Sequence, residues 1–213
     1  PVELRARRDT TGLTVDARNM SGDVVELRMR AAFTGAEWRM GISGDRSRPD
    51  TVALPVPDWA ASLVLDVTMA EDDWSRFTDF GVTLRQRDGR LLQESPLNYA
   101  FGRMRLEIPE AVRGDTLWLV LSPAAAHCSP PTPWSVNAVA RFQAAQPVAL
   151  DHGGTPRVEV QAGVTRRVRF PFERWPVQVP EDWDGLVTLI ALEGDTAVWT
   201  REVALPHTVK DLP

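Results

Sequence analysis

Strand-type alternation of apolar and polar residues recurs along this chain, and that two-residue period limits the fold more than any other feature. Val25, Leu27 and Met29 alternate with Glu26, Arg28 and Arg30, while Leu63, Leu65, Val67 and Met69 fall on one face of a later segment. Met104, Leu106 and Ile108 alternate with Arg103, Arg105 and Glu107, and Val136, Ala138, Ala140 and Phe142 do so against Asn137 and Arg141. In an extended chain successive side chains point to opposite faces, so each run predicts an antiparallel strand with one face in a core and one in water. Residues 117–121, apolar throughout and including Trp118, predict a central strand buried on both faces.

Helix has little room in such a chain. No window of a dozen residues keeps a helical period free of Pro and Gly, and residues 70–77 predict one short helical turn at most. Turn signals break the alternating runs at Ser21-Gly22-Asp23, Ser43-Gly44-Asp45, Asp88-Gly89, Arg113-Gly114-Asp115, Gly153-Gly154 and Glu193-Gly194-Asp195, with Asp88-Gly89 the clearest hairpin. The expectation is an all-β chain, an antiparallel β-sandwich of the jelly-roll or Ig-like kind. At 213 residues it is long enough for two packed sandwich units.

A stretch poor in large apolar residues, 143–156, is read as the linker between a larger unit, 1–142, and a smaller one, 157–213. The second is short for a sandwich of its own, so strands from residues 2–17 are expected to complete it. Val56-Pro57-Asp58-Trp59 ahead of Leu63-Val64-Leu65 is echoed by Val179-Pro180-Glu181-Asp182-Trp183 ahead of Leu186-Val187-Thr188-Leu189, with one residue inserted.

Charge narrows the partners. The net charge of -5 arises from interspersed acids and bases, which leaves no strongly positive field for a phosphate backbone, and nucleic acid is not expected. Every basic residue but Lys210 is Arg, which reads as a GC-rich genome. The single cysteine, Cys128, excludes an internal disulfide and a multi-cysteine zinc site. No apolar run approaches the roughly 20 residues of a membrane-spanning helix, so no membrane span is expected. The start at Pro1, with neither an initiator Met nor a leader, reads as a segment of a longer precursor.

Chemistry-bearing patterns are sparse. The histidines are His127, His152 and His207. His127-Cys128 sits in a Pro-rich loop sequence, and Asp151-His152-Gly153-Gly154 has no nucleophile elbow or metal-type motif beside it. No catalytic residue is assigned, and the chain is not expected to be an enzyme. Glu71, Asp72, Asp73 and Asp79 crowd around Trp74, where Asp72, Asp73 and Asp79 are either a solvated acidic turn or oxygen ligands for calcium; no other cofactor is expected. Of eight Trp, Trp59, Trp134, Trp175 and Trp183 lie beside Pro or acidic turn residues, and these four are the candidates for a ligand-stacking surface.

Residues 51–142 read in order T-V-A-L-P-V-P-D-W-A-A-S-L-V-L-D-V-T, D-F-G-V-T-L-R-Q-R-D-G-R-L-L, R-M-R-L-E-I-P and L-W-L-V-L. This order resembles the bacterial pre-peptidase C-terminal domain, a β-sandwich appended to secreted peptidases, subtilisin-like ones included. Asp79, Val82, Leu84, Asp88 and Gly89 match that family's D-x-x-V-x-L strand and the turn after it. The family's G-x-Y is replaced by Gly114-Asp115-Thr116-Leu117-Trp118 and its acidic pair is reduced to Asp79, which weakens the calcium expectation. The resemblance implies a secreted or cell-surface bacterial protein and a non-catalytic accessory module that assists secretion, stability or substrate engagement. Its partner would be the catalytic domain of the precursor or a protein ligand. A carbohydrate-binding or adhesive module with a glycan ligand is the alternative that the tryptophans support.

Overall fold

The computed structural model describes residues 2–9, 12–45, 49–74, 79–96, 100–124, 133–150, 157–170 and 176–206. Among them the strands are, in chain order, β1 (Val2–Asp9), β2 (Gly12–Asn19), β3 (Val25–Asp45), β4 (Asp50–Pro55), β5 (Ala60–Met69), β6 (Asp79–Arg85), β7 (Leu91–Pro96), β8 (Phe101–Glu107), β9 (Thr116–Ala124), β10 (Pro133–Ala149), β11 (Arg157–Val160), β12 (Thr165–Phe170), β13 (Asp184–Glu193) and β14 (Thr196–Pro206). Helix is limited to α1 (Glu71–Trp74) and a 3₁₀ turn at Glu110–Val112. The chain is therefore all-β, with antiparallel, sandwich-like sheets.

Two compact units divide the chain: Pro1–Ala36 with Gln146–Pro213, and Glu37–Ala145. In the first, β2 lies between β1 and β12, and the register pairs Val15 with both Ala6 and Val168. Leu13, Val15 and Ala17 of β2 are fully buried, with Leu4, Val168 and Phe170 beside them, so this sheet turns one apolar face inward. A second layer of the unit runs β14-β13-β3, with β11 paired to β3 from Arg157↔Arg28 to Val160↔Val25. Gly185, Leu186 and Val187 are buried in succession, the pattern of a strand covered on both sides.

One polar side chain fastens the turns of this unit. Asn19 is fully buried; its Nδ2 donates to the carbonyls of Asp23 at 2.6 Å and Val160 at 2.7 Å, and its Oδ1 accepts from Ser21 N at 2.8 Å and Ser21 Oγ at 2.7 Å. Its main-chain N–H donates to Val164 O and its carbonyl accepts from Gly163 N. A buried amide is stable only when its donors and acceptor are met, and here they tie the β2–β3 turn to β11 and the turn after it.

In the second unit a four-stranded sheet, β4-β9-β6-β7, faces the strands β10-β5-β8. Leu54, Phe80, Val82, Leu84, Leu117, Leu119 and Leu121 come from the former, and Leu63, Leu65, Val67, Met104, Val136, Ala138, Ala140 and Phe142 from the latter; all are buried. Phe80 and Trp134 meet edge to face at 5.1 Å and 82° between these layers.

Several expectations need correction. The strand over residues 117–121 is flanked on both sides in its sheet, but only Leu117, Leu119 and Leu121 are buried; Trp118 and Val120 are half-buried, so one face alone is core. Residues 143–149 continue β10 and do not form a linker, and the division between units falls at 36/37 and 145/146. The N-terminal strands join the C-terminal segment through the β2–β12 pairing. Ser43-Gly44-Asp45 ends β3 and is no turn; a Cβ on Gly44 would lie 2.6 Å from Cζ2 of Trp134, so the glycine serves close approach of backbone and indole. Asp88-Gly89 does close the β6–β7 hairpin, with Gly89 at φ 85° and its N–H on Gln86 O at 2.9 Å. Gly153-Gly154, like the whole stretch 151–156, lies outside the described residues.

Candidate functional site

The outward face of β10-β5-β8 collects polar side chains because the inward face takes every other residue for the core. The registers set them in rows: Gln143, Ser62 and Glu107; Arg141, Val64 and Arg105; Val139, Asp66 and Arg103; Asn137, Thr68 and Phe101. Asp66 and Arg103 form a two-pronged pair, Nε to Oδ1 at 2.5 Å and Nη2 to Oδ2 at 2.8 Å. The same guanidinium lies 5.5 Å from the ring centre of Phe101, an exposed side chain. The hydrogen bond to Asp66, and then its charge, hold Arg103 even more firmly protonated than an ordinary guanidinium.

Beside this pair is a buried carboxylate. Glu37 of β3 has a side chain with no exposed surface, and Arg141 of β10 donates Nε to its Oε2 at 2.5 Å. Arg39 places its Nη2 against Oε1, close enough for an ion pair but out of line for a hydrogen bond, and Oε1 accepts none. A carboxylate taken out of water is costly unless countercharges stay close; two do, and both remain partly in solvent, with 46% of Arg141 and 66% of Arg39 exposed. Glu37 thus anchors two arginines whose side chains remain partly exposed. Arg105, across Val64 from Arg141, makes no ion pair among the described residues. A guanidinium offers five donors in a planar fork and binds carboxylates and carbonyl oxygens, so this row is equipped to hold an acceptor-rich ligand.

The residues predicted from sequence fall elsewhere. Trp134 is 2% exposed and Trp183 1% exposed, so these indoles are core, and the expectation that they form a ligand surface is corrected. Trp134 closes over Gly44 and Phe80. Trp183 is buried by the inserted residue in its turn: Pro57 O accepts from Ala60 N at 3.0 Å, and Pro180 O accepts from Trp183 N at 3.1 Å. The insertion sets Trp183 where the first turn has the buried Ala60, whereas Trp59, one position earlier, is half-buried. Trp175 lies outside the described residues, as do His127, Cys128, His152 and His207.

Asp72 and Asp73 belong to α1, where Asp72 is exposed and Asp73 accepts from Ser135 Oγ at 3.3 Å. Asp79 begins β6, and its side chain is outside the described set. Among the described residues no group of three or more His, Cys, Asp or Glu is placed to hold a metal ion. A groove of about 620 Å³ lies between the β6–β7 turn and the 3₁₀ turn and is lined by Arg87, Asp88, Arg90, Pro109, Asp115 and Thr116 among others.

Sequence reasoning missed Glu37, Arg39, Arg103 and Arg141 as a group. The alternation marked Arg103 and Arg141 as outward on their own strands, but which strands adjoin depends on pairings across 37 and 104 positions. Compared with known proteins, the chain matches no family model and no curated sequence.

Proposed function

We propose that this chain is a non-catalytic interaction module of a secreted bacterial hydrolase, a peptidase, and that it engages polypeptide through the outward face of β10-β5-β8. The observation that carries this is the row Arg141, Val64, Arg105, backed by the buried Glu37 that fixes Arg141. Arginines with an apolar residue between them suit an extended peptide, whose carbonyls and carboxylates accept while a side chain covers Val64. Phe101, at one end of the same face, adds an exposed ring for contact. Support also comes from the family-like residues 51–142, which include β5, β8 and the length of β10 that forms this face. Among the described residues no helix is long and apolar enough to cross a membrane.

The test is retention of an unfolded polypeptide, such as reduced and alkylated casein, on the immobilised chain, with cleavage followed in the same sample. Retention without cleavage, weakened by Arg105→Ser with Arg141→Ser, is the expected result. Cleavage by the chain alone, or equal retention by the double variant in its folded state, contradicts the proposal.

A further inference from the structure

The groove between the β6–β7 turn and the 3₁₀ turn combines both signs of charge with apolar surface. Arg87, Arg90, Asp88 and Asp115 are all exposed along it, and none of the four makes an ion pair among the described residues. Leu92, Pro109, Ala111 and Val112 supply the apolar part of its lining. Main-chain hydrogen bonds fix both walls. On one side Gln86 N donates to Arg90 O and Gly89 N to Gln86 O, each at 2.9 Å; on the other Val112 N donates to Pro109 O and Gly114 N to Val56 O, each at 2.9 Å. Asp88 Oδ1 accepts from Arg90 N at 2.9 Å and Asp115 Oδ1 from Thr116 N at 2.8 Å, which holds each carboxylate in place through one oxygen. At about 620 Å³ the groove has the size of a small-ligand site, and its walls are already formed.

We infer that this groove binds a small apolar zwitterion, an amino acid or dipeptide with both ends free. Its carboxylate is taken by the guanidiniums of Arg87 and Arg90, which suit a two-pronged pair, and its ammonium by Asp88 and Asp115. The apolar side chain then covers Leu92, Ala111 and Val112. Other ligand classes leave part of the lining unmatched. An aliphatic acid gives the two carboxylates no cation, and inorganic phosphate meets them as like charges. The lining includes no aromatic side chain among the described residues, so a sugar finds no ring to stack on. An unfolded polypeptide does not bring both of its charged ends together, so this site is separate from the β10-β5-β8 reading, with which it shares no residue.

The experiment is an amide chemical-shift titration of the isotope-labelled chain with leucine, leucyl-leucine, leucyl-leucine capped at both ends, octanoate and inorganic phosphate. Both zwitterions are expected to shift Arg87, Asp88, Arg90, Ala111 and Asp115, less at high salt, and the tighter of the two names the source. Arg87→Ser with Arg90→Ser is expected to weaken them about tenfold. Asp88→Asn with Asp115→Asn keeps the side-chain acceptors of the two turns but removes their charge, and is expected to weaken the zwitterions while strengthening octanoate. Circular dichroism and a thermal melt check that both variants are folded. No shifts in the groove, equal binding of the capped dipeptide, octanoate or phosphate by the unaltered chain, or unchanged zwitterion binding by either folded variant overturns the inference.

Discussion

Gly44 and Glu37 show how single positions support the second unit. An added Cβ at Gly44 would press on a buried indole edge that packs on Phe80 and has little room to yield. Gly44→Ala is therefore expected to destabilise by about 1–3 kcal/mol, the cost of overpacking, read as a lower thermal midpoint with altered tryptophan emission. Unchanged stability would mean that Trp134 does not close on this strand. At Glu37 the two directions of substitution differ. Arg141→Ala leaves a buried carboxylate with only Arg39 and is expected to cost about 1–2 kcal/mol, below the range for fully buried pairs because Arg141 is half in water. Glu37→Leu removes the charge itself and frees both arginines to water, so its cost is expected to stay within about 1 kcal/mol. Urea titration of both variants checks the order. None of this was legible in the sequence, where Gly44 sits in a Ser-Gly-Asp triplet with the composition of a turn, and where Glu37 is one acid among many.

The elements themselves were far more legible. The alternation identified the core faces of β5, β8 and β10, and Asp88-Gly89 and Glu193-Gly194-Asp195 marked hairpins whose glycines do adopt positive φ. Lateral pairing was not legible, because period-two alternation says which face a residue occupies and nothing about the neighbouring strand. That gap hid the reach of β10 through Gln143–Ala149, a stretch poor in large apolar residues whose pairing with β5 runs as far as Ala144. It also hid the fate of the tryptophans. The repeated Val-Pro-acidic-Trp turn looked the same twice, yet one inserted residue moves Trp183 to the buried position that Ala60 holds in the first copy. Deleting Glu181 is expected to shift Trp183 to the half-buried position of Trp59. The checks are a red shift in tryptophan emission and a loss of stability on the order of 3–5 kcal/mol, the range for removing a large aromatic from a core. An unshifted spectrum would contradict this account of the insertion.

At the scale of the whole chain, the second unit, Glu37–Ala145, is inserted between the two segments of the first, and β3 and β10 carry the chain out and back. The β1-β2-β12 sheet joins residues some 150 positions apart, as the Arg167–Asp16 pair across 151 positions shows. Each unit offers an outward sheet face dressed with arginine, and in both cases the alternation that builds the core also sorts the cations outward. The sequence placed Arg103, Arg105 and Arg141 outward on their own strands but not beside one another. We propose that the β10-β5-β8 face binds polypeptide. The most direct test of this proposal is an amide chemical-shift titration of the isotope-labelled chain with an unfolded polypeptide. The account predicts shifts concentrated at Val139, Arg141, Val64, Asp66, Arg103 and Arg105, and lost in the Arg105→Ser, Arg141→Ser variant. Shifts centred away from that face, or none at all while the chain remains folded, would contradict it.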